Sequence, residues 1–275
     1  MSVINTNTRS LVAQQALTVN NRNLSKAMEQ LSTGRRINSA ADDAAGLAIS
    51  NKMTAQIRGL NQAVRNANDA ISMVQTVEGA TNEVTNMLQR MRELAVQSAN
   101  GTNVSADRTA LNAEFTELQA EIRRISDNTQ WNGSGVTDGT LTAVNFQVGA
   151  NSSQVITVAF KDLENLTDMT AALSAGTKVD TVTNSNEALG NIDKALAAVD
   201  LFRGDLGAKV NRLTYAADNL TNVATNAAAS RSRILDTDYA KATTELARTQ
   251  IVQQAATAML AQANQQPSVV LSLLR

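Results

Sequence analysis

The chain has 275 residues, of which 43% are hydrophobic but only 3% aromatic, and its single proline stands at position 267. Large rings normally fill thick cores, so a chain poor in them is expected to pack long helices along narrow aliphatic seams. Lys and Arg total 24 against 25 Asp and Glu, which excludes the basic field that attracts nucleic acid or an acidic membrane surface.

Two residue types that carry much of enzyme chemistry are missing. The sequence contains no Cys, and therefore no disulfide framework and no thiol nucleophile. It also contains no His, the usual general base and the commonest metal ligand. We therefore expect neither catalysis nor a cofactor.

The N-terminal 33 residues carry a weak helical signal. Leu17, Leu24 and Leu31 stand seven residues apart in a background rich in Asn, Gln and Ala, which predicts a helix with a narrow apolar stripe. The chain does not start with a basic region followed by an apolar run, so a cleaved secretory signal is not expected. No segment reaches the roughly 18 apolar residues of a membrane-spanning helix.

A longer stripe follows, with apolar residues at alternating steps of four and three from Ile49 to Ala95. This spacing is typical of the seam of a coiled coil, the line of side chains along which two helices pack. We predict one helix over about 42–99, with Asp42 and Asp43 complementing the dipole at its start. The seam residues named here are Ile57, Leu60, Val64 and Ile71.

A polar break at Asn100-Gly101-Thr102-Asn103 separates this helix from a second stripe over 111–125. Ser105 is predicted to cap the start of the second helix, because a serine hydroxyl can accept a hydrogen bond from a free backbone N–H there. Asp107 falls in the first turn, where a carboxylate is favourable.

The region 128–184 differs in composition from the helical segments, since it is rich in Asn, Thr, Ser and Gly. Apolar and polar residues alternate over 144–148 and again over 156–160, which predicts a β-hairpin. A hairpin of this size is not stable alone and is expected to pack on the helices. We further predict a short helix or turn near 166–173.

The third stripe runs from 189 to 227 with unbroken three-four spacing, and its seam residues are Leu196, Leu206, Val210, Leu213 and Leu220. Arg203 is the one charge on it. We expect the neighbouring Phe202 to occupy the seam while Arg203 extends to solvent, although a polar residue that sets the register is the alternative. Gly204 and Gly207 are candidates for a close approach between helices.

These stripes predict a mainly α fold, an elongated helical bundle or coiled-coil rod with a small β-hairpin. The last 40 residues are again rich in Gln and Ala and end in an apolar tail. A buried Leu contributes roughly 1.5–3 kcal/mol but Ala much less, so two such terminal helices gain little by pairing alone. We expect both ends to fold together only when neighbouring subunits cover them.

Two long motifs at opposite ends of the chain resemble a known family. LSTGRRINSAADDAAGLAISNKMTAQIRGL at 31–60, continued by LQRMRELAVQSANGT at 88–102, is similar to the N-terminal signature of bacterial flagellins. The segment 231–275 resembles the flagellin C-terminal signature almost from end to end. The resemblance covers roughly 1–135 and 185–275.

This resemblance implies a division of the chain in a filament. Residues 1–40 and 236–275 would form a terminal coiled-coil domain that lines the filament channel. Residues 41–235 would form a rod domain that includes the β-hairpin region at 128–184. Too few residues separate the two halves for the outer domains of longer members.

The resemblance also implies location and partners. The chain would polymerise with itself into the extracellular flagellar filament for swimming, after type III export without a cleaved signal. Its partners would include an export chaperone, the cap and hook-junction proteins, and the Toll-like flagellin receptor, with no nucleic acid and no membrane.

Specific residues match positions with known roles in flagellins. Arg90, Leu94 and Glu114 match those that contact the Toll-like receptor, although solvated faces of packed helices would explain the same residues. The tail leucines Leu271, Leu273 and Leu274 match those read by cytosolic inflammasome receptors, and packing at the channel wall or chaperone binding is the plainer expectation.

Two other functions remain open at this point. A hook–filament junction protein would share the terminal coiled coils, although the RELAVQSAN and SVVLSLLR segments favour flagellin. A soluble coiled-coil tethering or signalling module would keep its helices as a dimer and would not need a polymer to order its ends.

Overall fold

The computed structural model describes residues 6–272, with side chains described over 6–265. This part of the chain is mainly α, as predicted. Its helices are α1 Thr8–Thr33, α2 Ala44–Ala99, α3 Ser105–Asn128, α4 Met169–Leu173, α5 Val182–Leu235 and α6 Tyr239–Ser272. They belong to two compact units, one from the described parts of Met1–Ala55 and Thr225–Arg275, the other from Gln56–Ala224. The division at 1–40, 41–235 and 236–275 concerns packing in a filament and stays a prediction.

In the first unit, α1 and α6 pack side by side in opposite directions. The Asn7 side chain near the start of α1 donates a hydrogen bond of 2.8 Å to the carbonyl of Ala263 late in α6. Asn20, in the middle of α1, does the same to Thr249, nearer the start of α6. Contacts that run down one helix while running up the other define an antiparallel pair.

A short backbone link joins the segments that follow α1 and precede α6. Gly34 ends α1 with φ +69°, a left-handed conformation that side chains disfavour, and its N–H caps the carbonyl of Gln30. The Gly34 carbonyl then accepts the N–H of Thr237 at 3.0 Å, and Arg36 donates its N–H to Leu235 at 2.7 Å. Main-chain bonds thereby hold the segment just after α1 against the segment between α5 and α6.

The second unit has one main hydrophobic core between α2, α3 and α5. Large side chains of these helices that are at most 1% exposed include Leu88, Met91, Leu94, Phe115, Ile122, Ile192, Phe202, Leu206 and Leu213. Phe202 lies in the core, as predicted, but Arg203 does not extend freely to solvent: it is half-buried, and within the described residues its Nε is buried without a hydrogen-bond partner. The helices pack along aliphatic side chains with only two phenylalanines among them, which is the arrangement expected from the composition.

The predicted hairpin is present and packs on this core. Strands β3 (Val144–Gln147) and β4 (Val155–Val158) are antiparallel, with Phe146 opposite Ile156. Val158 is buried against the helices, and the Asn66 side chain of α2 donates to the Gln147 carbonyl at 3.0 Å. The predicted short helix is α4, although it begins only at Met169.

A second, smaller hairpin was not predicted. Strands β1 (Gln130–Trp131) and β2 (Ser134–Gly135) are joined by the two-residue turn Asn132-Gly133. Both turn residues have positive φ, at 49° and 79°, the pattern of a type I′ turn. The Asn-Gly pair is the strongest short hairpin signal, but the strands beside it lack alternating apolar residues.

The start of α3 corrects one prediction. Val104 precedes the helix and Ser105 is its first residue, so Ser105 is not the cap. The Asp107 carboxylate instead accepts the Val104 N–H at 3.1 Å. The acidic residue in the first turn therefore satisfies the N–H of the capping residue, and not one of the first helical N–H groups that a capping serine would accept.

The predicted seam of α2 also starts later than expected. Ile49 lies on the helix but is 50% exposed, and the continuous buried stripe begins at Ile57. None of the helices in the described part of the chain combines the length and apolar character that a bilayer crossing requires.

Candidate interaction surfaces

The seam between α1 and α6 is mostly small and partly polar. Seam positions on α1 are occupied by Ala13, Leu17, Asn20, Leu24, Ala27 and Leu31, and only Asn20 and Ala27 are buried. The matching positions on α6 are Ala242, Leu246, Thr249, Gln253, Ala256, Leu260 and Ala263. Such a seam removes little apolar surface from water, because Ala and half-buried Leu contribute small areas.

The outer faces of the same two helices carry large apolar side chains in contact with solvent. On α1 these are Leu11, Val12, Val19 and Met28, and on α6 they are Ile251, Val252 and Met259. Val12, Ile251 and Met259 are exposed by 67%, 67% and 65%. Isolated exposed apolar residues are ordinary, but this many on one helix pair point to a contact surface.

An ion pair links α1 to the loop before α2. Lys26 Nζ lies 2.8 Å from the Asp42 carboxylate, which also accepts the N–H groups of Asn38 and Ser39. The Lys26 hydrogen bond, helped by these backbone donors, lowers the pKa of Asp42 from 3.8 to about 2. Asp43, as predicted, serves the helix start, since its carboxylate accepts the Gly46 N–H at 2.8 Å.

The structure brings together two of the three residues matched to receptor contacts. Arg90 of α2 bonds Glu114 of α3 at 2.8 Å and its own neighbour Glu93 at 3.0 Å. The Arg90 and Glu114 side chains are 48% and 45% exposed, and the carboxylates, Glu114 foremost, raise the pKa of Arg90. They therefore form an accessible charged pair that bridges two helices.

Leu94 has a different position. It is 0% exposed and packs in the core of the second unit. Its side chain cannot touch another molecule in this conformation, so its effect on a partner would pass through the position of α2.

On the outer face of α2, Gln89, Arg92, Glu93, Val96 and Gln97 line a shallow groove, and Val96 is 51% exposed. This groove was not predicted. Val96 lies outside the apolar stripe of α2, among polar residues, so the spacing of apolar residues gave no sign of it.

The remaining named residues divide by burial. Of the seam residues named from the sequence, Ile57, Leu60, Leu206, Leu213 and Leu220 are buried, and Leu17, Leu24, Leu31, Val64, Ile71, Leu196 and Val210 are half-buried. Among the tail leucines, Leu271 lies in α6 where side chains are not described, and Leu273 and Leu274 lie outside the described residues.

The outward face of α5 lacks the close helix approach expected at its glycines. A Cβ added at Gly204 or Gly207 would meet no atom within 4 Å, so no described helix of this chain packs on them. Leu201 and Tyr215, on the same helix, are 78% and 75% exposed. These two are fourteen residues apart, and therefore lie on nearly the same side of the helix.

Comparison with known proteins identifies the family. A model described as the bacterial flagellin N-terminal helical region matches residues 4–142, and one described as the bacterial flagellin C-terminal helical region matches 189–274. A flagellin of Halalkalibacterium halodurans is 51% identical over 273 residues, covering 99% of this chain and all of that protein.

Solved structures agree at the level of fold. The crystal structure of Bacillus cereus flagellin is 31% identical, covers 61% of this chain and 94% of its own, and has a TM-score of 0.51. A Vibrio parahaemolyticus protein assigned to the flagellar hook-associated proteins has a TM-score of 0.61, covering 71% of this chain and all of its own. At 15% identity that second likeness concerns the fold alone. The chain belongs to the bacterial flagellin family and is a structural subunit of the flagellar filament.

Proposed function

We propose that the exposed apolar faces of α1 and α6 are the surfaces through which this subunit binds other copies of itself in the filament. The observation that carries this proposal is the contrast between the two sides of the helix pair. The inner seam is built of Ala, polar residues and half-buried Leu, whereas Val12, Ile251 and Met259 are about two-thirds exposed. Burying those side chains against a neighbour would supply the apolar area that the seam lacks.

Growth of filaments from short seeds tests this assignment. Ile251→Ser should slow elongation, because it removes an apolar side chain from the proposed contact. Gln250→Ser, at an exposed position on the same helix, is the matched control and should elongate normally. If both variants elongate at the rate of the unchanged chain, this face of α6 is not an assembly surface.

We also propose that the subunit acts outside the cell, without catalysis, after type III export as an uncleaved chain. The proposed partners on that route are an export chaperone and the cap and hook-junction proteins, and the tail leucines Leu271, Leu273 and Leu274 are the proposed chaperone contact. This rests on the family assignment together with the tail sequence SVVLSLLR. Calorimetry with the purified chaperone should show weaker binding for Leu274→Ser than for the control Ser272→Ala.

The Arg90–Glu114 pair is the proposed contact for the Toll-like flagellin receptor. Both side chains are about half exposed, lie 2.8 Å apart, and are held by separate helices of one packed unit. A rigid, exposed Arg of this kind is suited to be a binding hot spot. Leu94 would support this contact from the core without touching the receptor.

A receptor reporter assay with purified monomer separates this proposal from a purely structural role. Arg90→Ala should reduce signalling severalfold while leaving the unfolding curve nearly unchanged. Arg124→Ala is the control, because Arg124 is an exposed arginine of α3 whose guanidinium pairs with Glu121 of its own helix. Equal signalling by both variants would argue against the receptor contact.

A further inference from the structure

We infer that the Asn100–Gly101 step, in the turn between α2 and α3, is a site of spontaneous deamidation that yields mainly isoaspartate. The chain contains two Asn-Gly steps, and in the structure both residues of the second step have positive φ whereas neither residue of the first does. The second step, Asn132–Gly133, serves as an internal reference. This modification is independent of the assembly and receptor contacts proposed above.

The reaction needs a particular backbone arrangement. The amide nitrogen of the following glycine attacks the asparagine Cγ and closes a five-membered succinimide ring. The bond from that nitrogen to Cγ forms, the bond from Cγ to Nδ2 breaks, and ammonia leaves with the proton from the glycine nitrogen. Water then opens the ring at one of its two carbonyls, which leaves aspartate or isoaspartate.

The Asn132–Gly133 step is poorly arranged for ring closure. Asn132 has φ 49° and sits in the two-residue turn of the β1–β2 hairpin, where Trp131 pairs with Ser134. A left-handed residue in such a turn places the following nitrogen on the far side of Cα from Cβ. Ring closure there requires the hairpin to open first.

The Asn100–Gly101 step lies outside any hairpin. Its restraints are a hydrogen bond of 3.3 Å from the Thr102 N–H to the Asn100 Oδ1 and the bonds to the Asn100 backbone carbonyl described below. Neither residue has a positive φ, and Asn100 is exposed just beyond the end of α2. A Cβ added at Gly101 would meet no atom within 4 Å, so approach to its nitrogen is open. The Gln97 carbonyl, which a continuing helix would offer to the Gly101 N–H, accepts the Asn103 side chain at 2.6 Å instead. In the described part of the chain no carbonyl accepts the Gly101 N–H.

Arg108 determines how the ring opens. Its guanidinium donates to the Asn100 backbone carbonyl at 3.0 Å and to the Ser98 carbonyl at 2.9 Å, and the Asn103 N–H also reaches the Asn100 carbonyl. In the succinimide this oxygen belongs to the α-carbonyl, and the hydrogen bonds make that carbon the better electrophile for water. Opening at the α-carbonyl gives isoaspartate, whose freed carboxylate then faces the Arg108 cation.

The full-length chain should be incubated as folded monomer at mildly alkaline pH, with site-resolved peptide mass spectrometry and enzymatic isoaspartate labelling. We expect Asn100 to lose ammonia severalfold faster than Asn132, and the two rates to converge in concentrated urea. Conversion of Asn132 at an equal or higher rate in the folded chain would overturn the proposal. So would a rate ratio that urea leaves unchanged, because the folded structure would then not be the cause.

Two variants test the roles of the neighbouring groups. Gly101→Ala should slow conversion at position 100 and leave Asn132 unaffected. Arg108→Gln should lower the ratio of isoaspartate to aspartate at position 100, and Arg108→Lys, which keeps a cation, should restore part of it. An unchanged ratio in Arg108→Gln, with a native circular dichroism spectrum, would show that Arg108 does not direct the opening of the ring.

Discussion

Asn20 of α1 and Thr249 of α6 are buried together, and the Asn20 side-chain amide donates a hydrogen bond of 2.8 Å to the Thr249 carbonyl. A buried polar group costs free energy unless it finds a partner. Sliding α1 along α6 would leave the Asn20 amide without this bond, while the Ala and Leu positions around it would lose little. The pair therefore favours one register for the two terminal helices.

The first prediction concerns this bond. Asn20→Ala should destabilise the α1–α6 pair by about 1 kcal/mol, since a buried hydrogen bond is lost and nothing replaces it. The measurement is hydrogen exchange of α1 backbone amides in assembled filaments. Asn21→Ala is the matched control, because the Asn21 side chain is exposed and only accepts a bond of 3.1 Å from Gln253. Equal loss of protection in both variants would contradict the role given to Asn20.

The second prediction concerns acid. The pKa of Asp42 is lowered to about 2 in the folded chain, mainly by Lys26, so the unfolded chain binds a proton there more readily than the folded one. The stabilisation is thus complete above about pH 5 and is lost as pH falls towards 2. It amounts to at most roughly 2 kcal/mol, given 1.36 kcal/mol for each unit of pKa difference.

The Lys26→Met variant tests how much of this pH-dependent stabilisation comes from the Lys26–Asp42 ion pair. It should lower the free energy of unfolding of the first unit at neutral pH and make that free energy less dependent on pH between 5 and 2. Urea titrations of assembled filaments, followed by far-UV circular dichroism at several pH values, provide the measurement. A Lys26→Met variant whose acid sensitivity equals that of the unchanged chain would show that Lys26 does not hold Asp42 ionised.

The third prediction separates packing from recognition on α2. Leu94→Ala should destabilise the second unit by about 2–5 kcal/mol, because it opens a cavity at a fully buried position. Val96→Ala, two residues away and 51% exposed, should change stability by no more than about 0.5 kcal/mol. Thermal unfolding of the two variants gives the comparison. If Leu94→Ala unfolds like the unchanged chain, Leu94 is available for direct contacts after all.

The fourth prediction compares two glycines in helices. A Cβ at Gly59 would lie 3.1 Å from the Ala150 Cβ, so Gly59→Ala should push the loop between β3 and β4 away and destabilise the second unit. Gly204→Ala should instead stabilise the monomer by up to about 1 kcal/mol, because the site is open and Ala favours helix. Unfolding in urea measures both. The same sign of effect for the two substitutions would contradict the packing described here.

Gly204→Ala also reports on assembly. A more stable monomer that elongates poorly on seeds would place a neighbouring copy against this face of α5, beside the exposed Leu201 and Tyr215. Normal elongation would mean that the face stays open in the filament.

Periodicity predicted the long helices and the larger hairpin well, for a physical reason. Val144, Phe146, Ile156 and Val158 alternate with polar residues, and apolar residues recur every three or four positions over α2 and α5. In both cases the chain repeats a pattern that matches the geometry of the element.

Contacts that leave no periodic pattern in the sequence could not be predicted from it. Asn20 and Thr249 occupy seam positions, three residues after Leu17 and Leu246. Because both are polar, a search for recurring apolar residues does not identify them as seam residues. Whether Leu94 faces the core or a partner depends on what α3 and α5 place beside it, and spacing along α2 does not encode that. Lys26 and Asp42 meet through a loop whose path no periodic signal describes.

The proposed assembly surfaces can be tested by helical reconstruction, by electron microscopy, of filaments grown from the purified chain on short seeds. We expect α1 and α6 to remain an antiparallel pair with Asn20 against Thr249, and Ile251 and Met259 to be covered by neighbouring copies. Filaments in which these side chains still face solvent, or in which α1 has separated from α6, would contradict it.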